Sequence, residues 1–335
     1  MNPEEINVGI AYNEYVSPET KKIEQLSEET VKDMAMDVFH QISQFGYRPK
    51  LVPLAIDIYE FMHKITDQKL DVVINLCEGY KDRPFMEFCV ASLLELMAVR
   101  YTGNPARTLG MCQNKYQTKL LLHGAGLPVA KGQLVTTPDE IAFDQFPAIV
   151  KPNNEDASLG IYPHSVVRSP EELEIQVRQV LATYHQPALV EQYIAGREFN
   201  VAVMDVEEPM ALPVSEIDFS KVPEGYPHIC SYEAKWFEGH VLFDTTVPIC
   251  PAQLSAAKQK QLQSLATKAF RLMGCRDYAR VDFRMNKQGR PYILEVNPNP
   301  DISLNAGYAR GLRAAGIDYS EFWDRIIRKT YQRNR

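Results

Sequence analysis

The alternation of apolar and polar residues near the end of the chain predicts an antiparallel hairpin. Two runs rich in β-branched residues, 278–283 and 292–298, flank the segment 286–291. That segment contains asparagine, glycine and proline, the residue types that form tight turns. We therefore expect two paired strands joined by a short turn.

The predicted register of this hairpin brings charged side chains together. With the turn centred between residues 288 and 289, Asp282 faces Glu295 and Arg280 faces Asn297, all on one face. Two directly opposed carboxylates repel each other, so we expect a positive group between them. Carboxylate and amide oxygens are also hard ligands, suited to Mg²⁺ held jointly with nucleotide phosphates. A solvated hairpin at a sheet edge is the alternative.

The first third of the chain alternates short apolar runs with longer amphipathic segments. Strands are predicted at 6–11, 48–53 and 71–75, and helices at 27–45 and 86–97. Alternating strands and helices are typical of a parallel sheet with helices on both faces. An N-terminal α/β unit is therefore expected.

The rest of the chain mixes shorter strands and helices. A helix from residue 114 is predicted to stop at glycines near residue 126. Strands are predicted at 146–152 and 188–194, and Ser169 with Pro170 predicts a helix start between them. From residue 198 the alternation predicts an antiparallel-rich segment that contains the hairpin.

Composition favours an intracellular enzyme. The 335 residues are 45% hydrophobic and 24% charged, enough for a large core and two or three domains. A net charge of −7 without a basic cluster argues against nucleic acid or an anionic membrane as partner. Without signal-peptide features or a long apolar run, we expect a cytoplasmic protein. The six cysteines and seven histidines lack the spacings of zinc sites.

Two common phosphate-binding loops are missing from the sequence, the GxxxxGK[ST] loop and a GxGxxG that follows a strand. Lysines instead occur at predicted strand ends and in loops, at Lys115, Lys151 and Lys235. Positive groups that converge on a metal-bound triphosphate are what phosphoryl transfer requires. Each lysine alone is more typical of an exposed side chain, but together with the hairpin they favour a nucleotide site.

The order of several motifs resembles the ATP-grasp superfamily and, within it, the D-alanine–D-alanine ligases. The motifs follow the family's order and spacing from about residue 70 to residue 310. They are 93–103, 114–115, 119–129, 148–152, 190–199, 232–235, 280–282 and 294–297. Each motif is weak by itself, whereas the ordered series is specific.

The resemblance implies a mixed α/β (α+β) fold with the three-subdomain ATP-grasp architecture. An N-terminal α/β unit would occupy residues 1–107, and a central ATP-grasp subdomain residues 108–191. A C-terminal ATP-grasp subdomain with the metal site would occupy residues 192–335. The last two would clasp ATP between them.

The resemblance also implies the residues that bind ATP and two Mg²⁺ ions, with Mn²⁺ as an alternative. Those expected to bind ATP are Lys115, Lys151, Ser158, Glu191, Gln192, Tyr193, Ile194, Glu198 and Lys235. Those expected to hold the metal are Asp282, Glu295 and Asn297. Lys235 would reach the γ-phosphate, and Arg280 would stabilise charge on the acyl group. Surface acidity is the alternative for Glu191 and Glu198.

The implied reaction joins a small-molecule carboxylate to an amine in two steps, and the resemblance also suggests a homodimer. The carboxylate attacks the γ-phosphate to give an acyl phosphate, and the amine then displaces phosphate. Because an acyl phosphate hydrolyses readily, the site must exclude water. The segments 153–160 and 218–231 are candidate lids, and a plain surface loop is the alternative for the second.

The sequence departs from the ligase pattern mainly where the substrates would bind. The ligases have a glycine-rich loop with a glutamate after the first strand, whereas here this segment is residues 10–16, with Glu14 as the candidate for that glutamate. The serine and tyrosine that the glutamate joins are replaced by Ala157 and Trp236. The family's His-Gly is Glu78-Gly79, and the motif that follows it is residues 81–84. The further departures are Asp301 in place of a glycine, and Ala306 and Gly307 in place of a serine–leucine pair.

These departures predict a ligase whose substrates are not two D-alanines, because a site selects the molecules that satisfy its buried polar groups. Asp301 suggests an acceptor with a positive or hydrogen-bond-donating group. Three alternatives stay open at this point. They are a true but divergent D-alanine–D-alanine ligase, a non-catalytic nucleotide-binding protein, and a phosphotransferase that does not form an amide.

Overall fold

The structure is a computed structural model that describes residues 2–14, 26–81 and 83–333, and only the backbone of residues 26–30. Tyr15, Val16 and Asp82, which belong to the segments compared above with the ligase pattern, lie outside the described residues. Three sheets organise the described part of the chain.

The first sheet is parallel, with the strand order β2-β1-β3. Its elements are β1 (Val8–Asn13), α1 (Leu26–Gln44), β2 (Lys50–Leu54), α2 (Ile58–Asp67), β3 (Val72–Asn75) and α3 (Glu87–Leu96). Ile10 and Ile74 pack on the α1 side, whereas Ala11 and Val73 pack with α2 and α3. Because both faces are covered, the strands are apolar throughout. The predicted α/β unit is confirmed.

The second sheet is antiparallel, with the order β4-β7-β5-β6, and follows two helices. The elements are α4 (Ala106–Gln113), α5 (Lys115–Gly124), β4 (Gly132–Val135), β5 (Ala148–Pro152), β6 (Val166–Val167), α6 (Pro170–Tyr184) and β7 (Ala188–Gln192). α6 covers one face through Leu173 and Val177. Its predicted start is confirmed, since the Ser169 hydroxyl accepts the Glu172 N–H at 3.3 Å.

The third sheet has six strands, in the order β11-β10-β8-β12-β13 with β9 also paired to β8. Its strands are β8 (Gly196–Asp205), β9 (Pro209–Ala211), β10 (Ser215–Asp218), β11 (Val247–Ile249), β12 (Tyr278–Asn286) and β13 (Pro291–Asn297). Three helices connect these strands along the chain, α7 (Tyr232–Trp236), α8 (Val241–Thr245) and α9 (Ala256–Leu272). Two more complete the chain, α10 (Gly307–Ala314) and α11 (Tyr319–Gln332). The predicted antiparallel segment is confirmed.

The hairpin of β12 and β13 has the predicted register at its functional end. Arg280 faces Asn297 and Asp282 faces Glu295. Nearer the turn, Met285 faces Pro291, so the turn centres on residue 288, half a residue earlier than predicted. An irregularity beside Asp282 shifts the pairing by one residue and restores the predicted register.

The last helices return to the first sheet and join it to the third. Phe322 and Trp323 of α11 share a buried cluster with Ile10 of β1. Tyr278 of β12 packs edge-on against Trp323 and against Tyr308 of α10. The packing therefore connects parts of the chain that the predicted boundaries at 107/108 and 191/192 separate, and those boundaries stay predictions. No helix among the described residues is both long and apolar enough to cross a membrane.

Candidate active site

The functional face of the hairpin holds Arg280, Asp282, Glu295 and Asn297 in contact. Arg280 binds Asp282 through two hydrogen bonds of 2.7 Å. The Asn297 amide donates to Asp282 at 3.0 Å and to Glu295 at 3.3 Å. On the other side, the Lys115 ammonium lies 3.0 Å from Glu295. Each carboxylate therefore has one cation beside it, and the Asn297 amide bridges the two, so a positive group between them stays a prediction.

These contacts set the charge states of the face. Burial raises the pKa of Glu295, but Lys115 and Lys151 lower it below its ordinary value. Burial raises the pKa of Asp282 above its ordinary value, although Arg280 and Lys235 oppose this effect. Within the described residues, no three His, Cys, Asp or Glu side chains gather into a metal-binding group. The candidate metal donors are therefore two carboxylates and one amide, which are hard oxygen ligands of the kind Mg²⁺ prefers.

Lys115 connects the hairpin to the predicted lid segment 153–160. It is the first residue of α5, and its side chain is only 5% exposed. Its ammonium lies 2.8 Å from Asp156, and its backbone N–H donates to Asn153 at 3.1 Å. Burial lowers the pKa of Lys115, but Asp156 and Glu295 raise it above its ordinary value. Lys115 is therefore a charged group held rigidly beside the carboxylates.

Glu191 lies between two buried lysines. Its carboxylate is 2.6 Å from the Lys151 ammonium and also pairs with Lys119. Burial raises the pKa of Glu191, but Lys119 and Lys151 lower it from 4.5 to about 2. With 2% exposure, Glu191 is a buried ion, and the alternative of surface acidity is wrong. The sequence reasoning missed Lys119, which lies one helical turn after Lys115 and so on the same face of α5.

The link from the second sheet to the third passes through Gln192, Tyr193 and Ile194. The backbone N–H of Gln192 donates to Lys131 at 2.9 Å, and that of Tyr193 to Pro147 at 3.0 Å. Gly196 follows with a φ of +153°, and a Cβ there would lie 2.0 Å from the Met285 carbonyl oxygen. Only glycine permits the backbone to approach Met285 this closely. Residues 192–196, which we call the hinge segment, are therefore held in place between the two sheets.

Glu198, on β8, lies beside a second residue that the sequence reasoning missed. Its carboxylate is 2.9 Å from the guanidinium of the buried residue Arg284. Burial raises the pKa of Glu198 above its ordinary value, although Arg284 opposes the shift. The alternating pattern could have revealed Arg284, because it lies two residues after Asp282 on the same face of β12.

The two predicted lid segments, 153–160 and 218–231, contact each other. The Ser158 hydroxyl donates to the Cys230 carbonyl at 2.9 Å. Immediately after these segments, the Tyr232 N–H donates to the Ile161 carbonyl at 2.8 Å. Burial and the Glu198 charge raise the pKa of the Cys230 thiol to about 12, so this thiol is protonated at neutral pH.

Lys235 and Trp236 lie on α7, directly after the second lid segment. The Lys235 ammonium is 5.0 Å from the centre of the Trp236 ring. The Trp236 indole donates to the Ala157 carbonyl at 3.0 Å. An indole–backbone bond therefore joins the two positions where the ligase pattern places a tyrosine and a serine.

Glu14 and Glu78 lie at the carboxyl edge of the first sheet, after β1 and β3. Asn13 links the two strand ends, because its amide accepts the Glu78 N–H and donates to the Gly79 carbonyl, both at 2.8 Å. The neighbouring strands β2 and β3 lie on opposite sides of β1. Ligands of open α/β sheets bind at such a point, where the strand order reverses.

The loop after β13 carries Asp301, and its residue Asn299 contacts α3, a helix that packs on the first sheet. Asp301 is exposed and accepts the Ser303 N–H at 3.0 Å. The Asn299 amide donates to Glu87 at 2.6 Å. Burial raises the pKa of Glu87 from 4.5 to about 8, although the Asn299 bond opposes the shift. The sequence reasoning missed Glu87, which no local pattern distinguishes from other helical glutamates.

Comparison with known proteins agrees with this architecture. A family model described as D-ala D-ala ligase C-terminus matches residues 121–328. The D-alanine–D-alanine ligase of Alkalilimnicola ehrlichii is 34% identical over 242 residues, 71% of this chain and 72% of that protein. The uncharacterized protein y4sG of Sinorhizobium fredii is 32% identical over 263 residues, 78% of this chain and 75% of that protein.

Solved structures show the same fold. The D-alanine–D-alanine ligase of Bacillus anthracis complexed with ATP superposes with a TM-score of 0.74 and 21% identity, over 97% of each chain. At this identity the match shows the fold alone. It confirms the mixed architecture of one parallel and two antiparallel sheets.

Proposed function

The chain belongs to the D-alanine–D-alanine ligase family, and we propose that it joins a carboxylate to an amine with a substrate pair other than two D-alanines. It is an ATP-dependent ligase that forms C–N bonds, and the family uses ATP and a divalent metal. The observation that carries the proposed ligase activity is the 3.0 Å contact between Lys115, which would bind phosphate, and the hairpin carboxylate Glu295. The different substrate pair is supported by the replacement of the ligases' substrate network at Ala157 and Trp236.

ATP would bind between the second and third sheets, with its base at the hinge segment and its phosphates at the hairpin. The backbone of residues 192–194 and Glu191 would bind adenine, and Glu198 the ribose hydroxyls. Because each carboxylate oxygen has two lone pairs, Glu191 can hold both lysines and still accept from the adenine amino group. The groups proposed for the phosphates are Lys115, Lys151, Ser158 and Lys235.

Asp282, Glu295 and Asn297 would hold two Mg²⁺ ions, or Mn²⁺. Support comes from the donor set itself, since two carboxylates and an amide share one face within hydrogen-bond distance. The metal would neutralise charge on the transferring phosphoryl group and on the leaving oxygens.

The first proposed step transfers the γ-phosphoryl group. An oxygen of the substrate carboxylate bonds to the γ-phosphorus, and the bond from that phosphorus to the bridging oxygen breaks, which releases ADP. Lys115, Lys151 and Lys235 would hold the phosphates in line with the attacking oxygen. The product is an acyl phosphate, a mixed anhydride that water would hydrolyse. The contact between Ser158 and Cys230 supports a lid that keeps water out.

The second proposed step forms the amide. The amine nitrogen bonds to the acyl carbon, inorganic phosphate leaves, and the nitrogen loses a proton. Arg280 would stabilise the negative charge that develops on the acyl oxygen, since its guanidinium is fixed by two bonds to Asp282. A fixed donor stabilises this charge in the transition state more than a mobile donor does, because it does not have to reorient during the reaction.

The residues at the proposed substrate site support a substrate pair other than two D-alanines. In the ligase pattern a glutamate, a serine and a tyrosine form a side-chain network, whereas here Trp236 bonds to a backbone carbonyl. Asp301, on the loop after β13, adds a further carboxylate, and with Asp282 and Glu295 it raises the pKa of Arg280 against the lowering effect of burial. We propose Glu14, Glu78, Trp236 and Asp301 as substrate-contacting residues and an acceptor that carries a positive or hydrogen-bond-donating group.

A crossed panel of amino acids and small peptides, with ADP release and product mass recorded, tests the proposal. Amide formation from a pair other than two D-alanines is the expected result. Robust turnover with D-alanine alone would identify a true D-alanine–D-alanine ligase. ADP release without incorporation of any amine would identify a phosphotransferase, and failure to bind Mg-ATP would overturn the whole proposal.

We also propose that the enzyme acts on small molecules as a homodimer in the cytoplasm and does not bind nucleic acid. The net charge of −7 supports the last point. Light scattering on the eluting chromatographic peak would give the mass in solution. A mass of one chain, or a mobility shift with nucleic acid at physiological salt, would contradict these proposals.

A further inference from the structure

Arg284 is a buried arginine at the centre of the proposed nucleotide site. It lies on β12 directly opposite Glu198 of β8, so the two side chains share a face of the third sheet. Its side chain is 4% exposed. Burial of a guanidinium is costly unless its donors are matched, and the contacts of Arg284 show how they are matched.

The guanidinium of Arg284 binds three different segments of the chain. One terminal nitrogen donates to the Glu198 carboxylate at 2.9 Å and to the His228 carbonyl at 2.6 Å. The Nε–H donates to the Ile194 carbonyl at 3.0 Å. Only arginine presents several donors in one rigid plane, so a lysine could satisfy one of these acceptors but not all of them.

The contacts of Arg284 continue into the lid segment 218–231. Its guanidinium lies 5.7 Å from the Phe219 ring and 5.4 Å from the Tyr193 ring. Phe219 in turn stacks on His228, with ring centres 5.6 Å apart. The Tyr193 hydroxyl donates to the same His228 carbonyl at 3.2 Å. The hinge and the lid segment therefore meet at one buried side chain.

We propose that Arg284 is a positioning residue that couples the ribose site to the lid segment 218–231. It fixes the Glu198 carboxylate, and it holds that segment against the hinge residues 193 and 194. The ribose part of this inference rests on the proposed function, through the role of Glu198. A carboxylate has about four lone-pair sites, so Glu198 can accept from Arg284 and from the ribose hydroxyls together.

The test compares Arg284→Met with Arg290→Met, since Arg290 is exposed in the hairpin turn and stacks on Tyr292. The first readout is KM and kcat for ATP and for 3′-deoxy-ATP. In the wild type, loss of one ribose hydroxyl should raise KM by about tenfold. In Arg284→Met the KM for 3′-deoxy-ATP should exceed the KM for ATP by a factor of about two or less. The kcat for ATP should fall by a smaller factor than the KM for ATP rises.

The second readout is cleavage by trypsin at Lys221, an exposed residue of the lid segment, without nucleotide. Arg284→Met should be cut about tenfold faster than the wild type. Without the Arg284 contacts, local opening of the lid segment costs less free energy, so trypsin reaches Lys221 more often. Arg290→Met should match the wild type in both readouts. A folded Arg284→Met with the wild-type KM ratio and cleavage rate would overturn the inference.

Arg284→Lys serves where the methionine variant does not fold. Lysine can pair with Glu198 but cannot also reach the Ile194 and His228 carbonyls, so the KM ratio should recover while cleavage stays fast. Wild-type protection in this variant would overturn the coupling. If the wild type forms no amide with any acceptor, the proposed function fails, yet the cleavage comparison without nucleotide still decides the role of Arg284.

Discussion

The Lys151 ammonium lies 2.6 Å from the Glu191 carboxylate, and both side chains are less than a tenth exposed. A buried ion pair is stable only when its remaining polar atoms are also hydrogen-bonded, and Lys119 binds the second carboxylate oxygen of Glu191. The arrangement fixes Lys151, which we propose binds phosphate, on a strand of the second sheet. Glu191 thus has a positioning role that its sequence context did not indicate.

We expect Lys119→Met to lower the free energy of unfolding by about 2 kcal/mol, because it removes the charged hydrogen bonds of Lys119 to Glu191 and to the Ala130 carbonyl. Urea denaturation measures this change. Lys260→Met, on the exposed side of α9, is the matched control and should stay within about 0.5 kcal/mol of the wild type. Equal stability of the two variants would contradict the buried triad.

Glu87 should make the protein less stable as the pH rises. Its folded pKa of about 8 lies above the ordinary 4.5, so its contribution is complete below pH 4.5 and is lost as the pH rises through 8. The melting temperature measured between pH 5 and pH 9 should fall less steeply in Glu87→Gln. Glu60→Gln, an exposed residue of α2, is the control and should keep the wild-type slope.

Removal of either hairpin carboxylate should abolish turnover. Asp282→Ala and Glu295→Ala each remove a proposed metal donor, and loss of several kcal/mol of charge stabilisation reduces kcat by at least about 100-fold. ADP release at saturating Mg²⁺ and ATP measures the effect. Asp139→Ala, an exposed residue of a surface turn, should remain fully active. Undiminished turnover in both hairpin variants would refute the proposed metal site.

Asp301→Gly should change the choice of acceptor. If Asp301 binds a positive or donating group, its removal should reduce kcat/KM for such acceptors by about tenfold and spare neutral ones. The crossed acceptor panel, run on wild type and variant, measures the ratio. Asp139→Gly is the control. An unchanged order of preference would remove Asp301 from the substrate site.

The pair Ala157→Ser and Trp236→Tyr restores the two hydroxyl groups of the ligase pattern. We expect the double variant to gain turnover with D-alanine of about tenfold, since a site that can hydrogen-bond a substrate favours it. ADP release with D-alanine as sole substrate measures the gain. The single variants are the controls, because each restores only one member of the network. No gain in the double variant would show that these positions do not set the substrate.

The local features of the fold were predictable because they depend on neighbouring residues. The alternation in 278–297 predicted the two strands, and the turn residues predicted the pairing of Asp282 with Glu295. The Ser169 cap and the apolar runs of the first sheet were equally local signals. Even the half-residue error at the turn left the functional register intact, because one irregularity compensated for it.

The site contacts that decide charge and position could not be predicted from such patterns. Glu87 meets Asn299 across 212 residues of sequence, and Arg284 meets Glu198 across 86. Sequence spacing carries no information on which buried charges will pair at that separation. The identity of the partner depends on how the sheets pack, and this information appears only in the folded chain.

By itself the sequence determined the strands and helices of the first sheet, the hairpin face with its two carboxylates and the order of the lysines. Periodicity and turn chemistry encode these features within about 20 residues. Only the tertiary structure decided that Glu191 is buried between Lys119 and Lys151, and that Arg284 holds the hinge to the lid segment. Burial and ion pairing depend on contacts between distant segments, and the packing of three sheets creates those contacts.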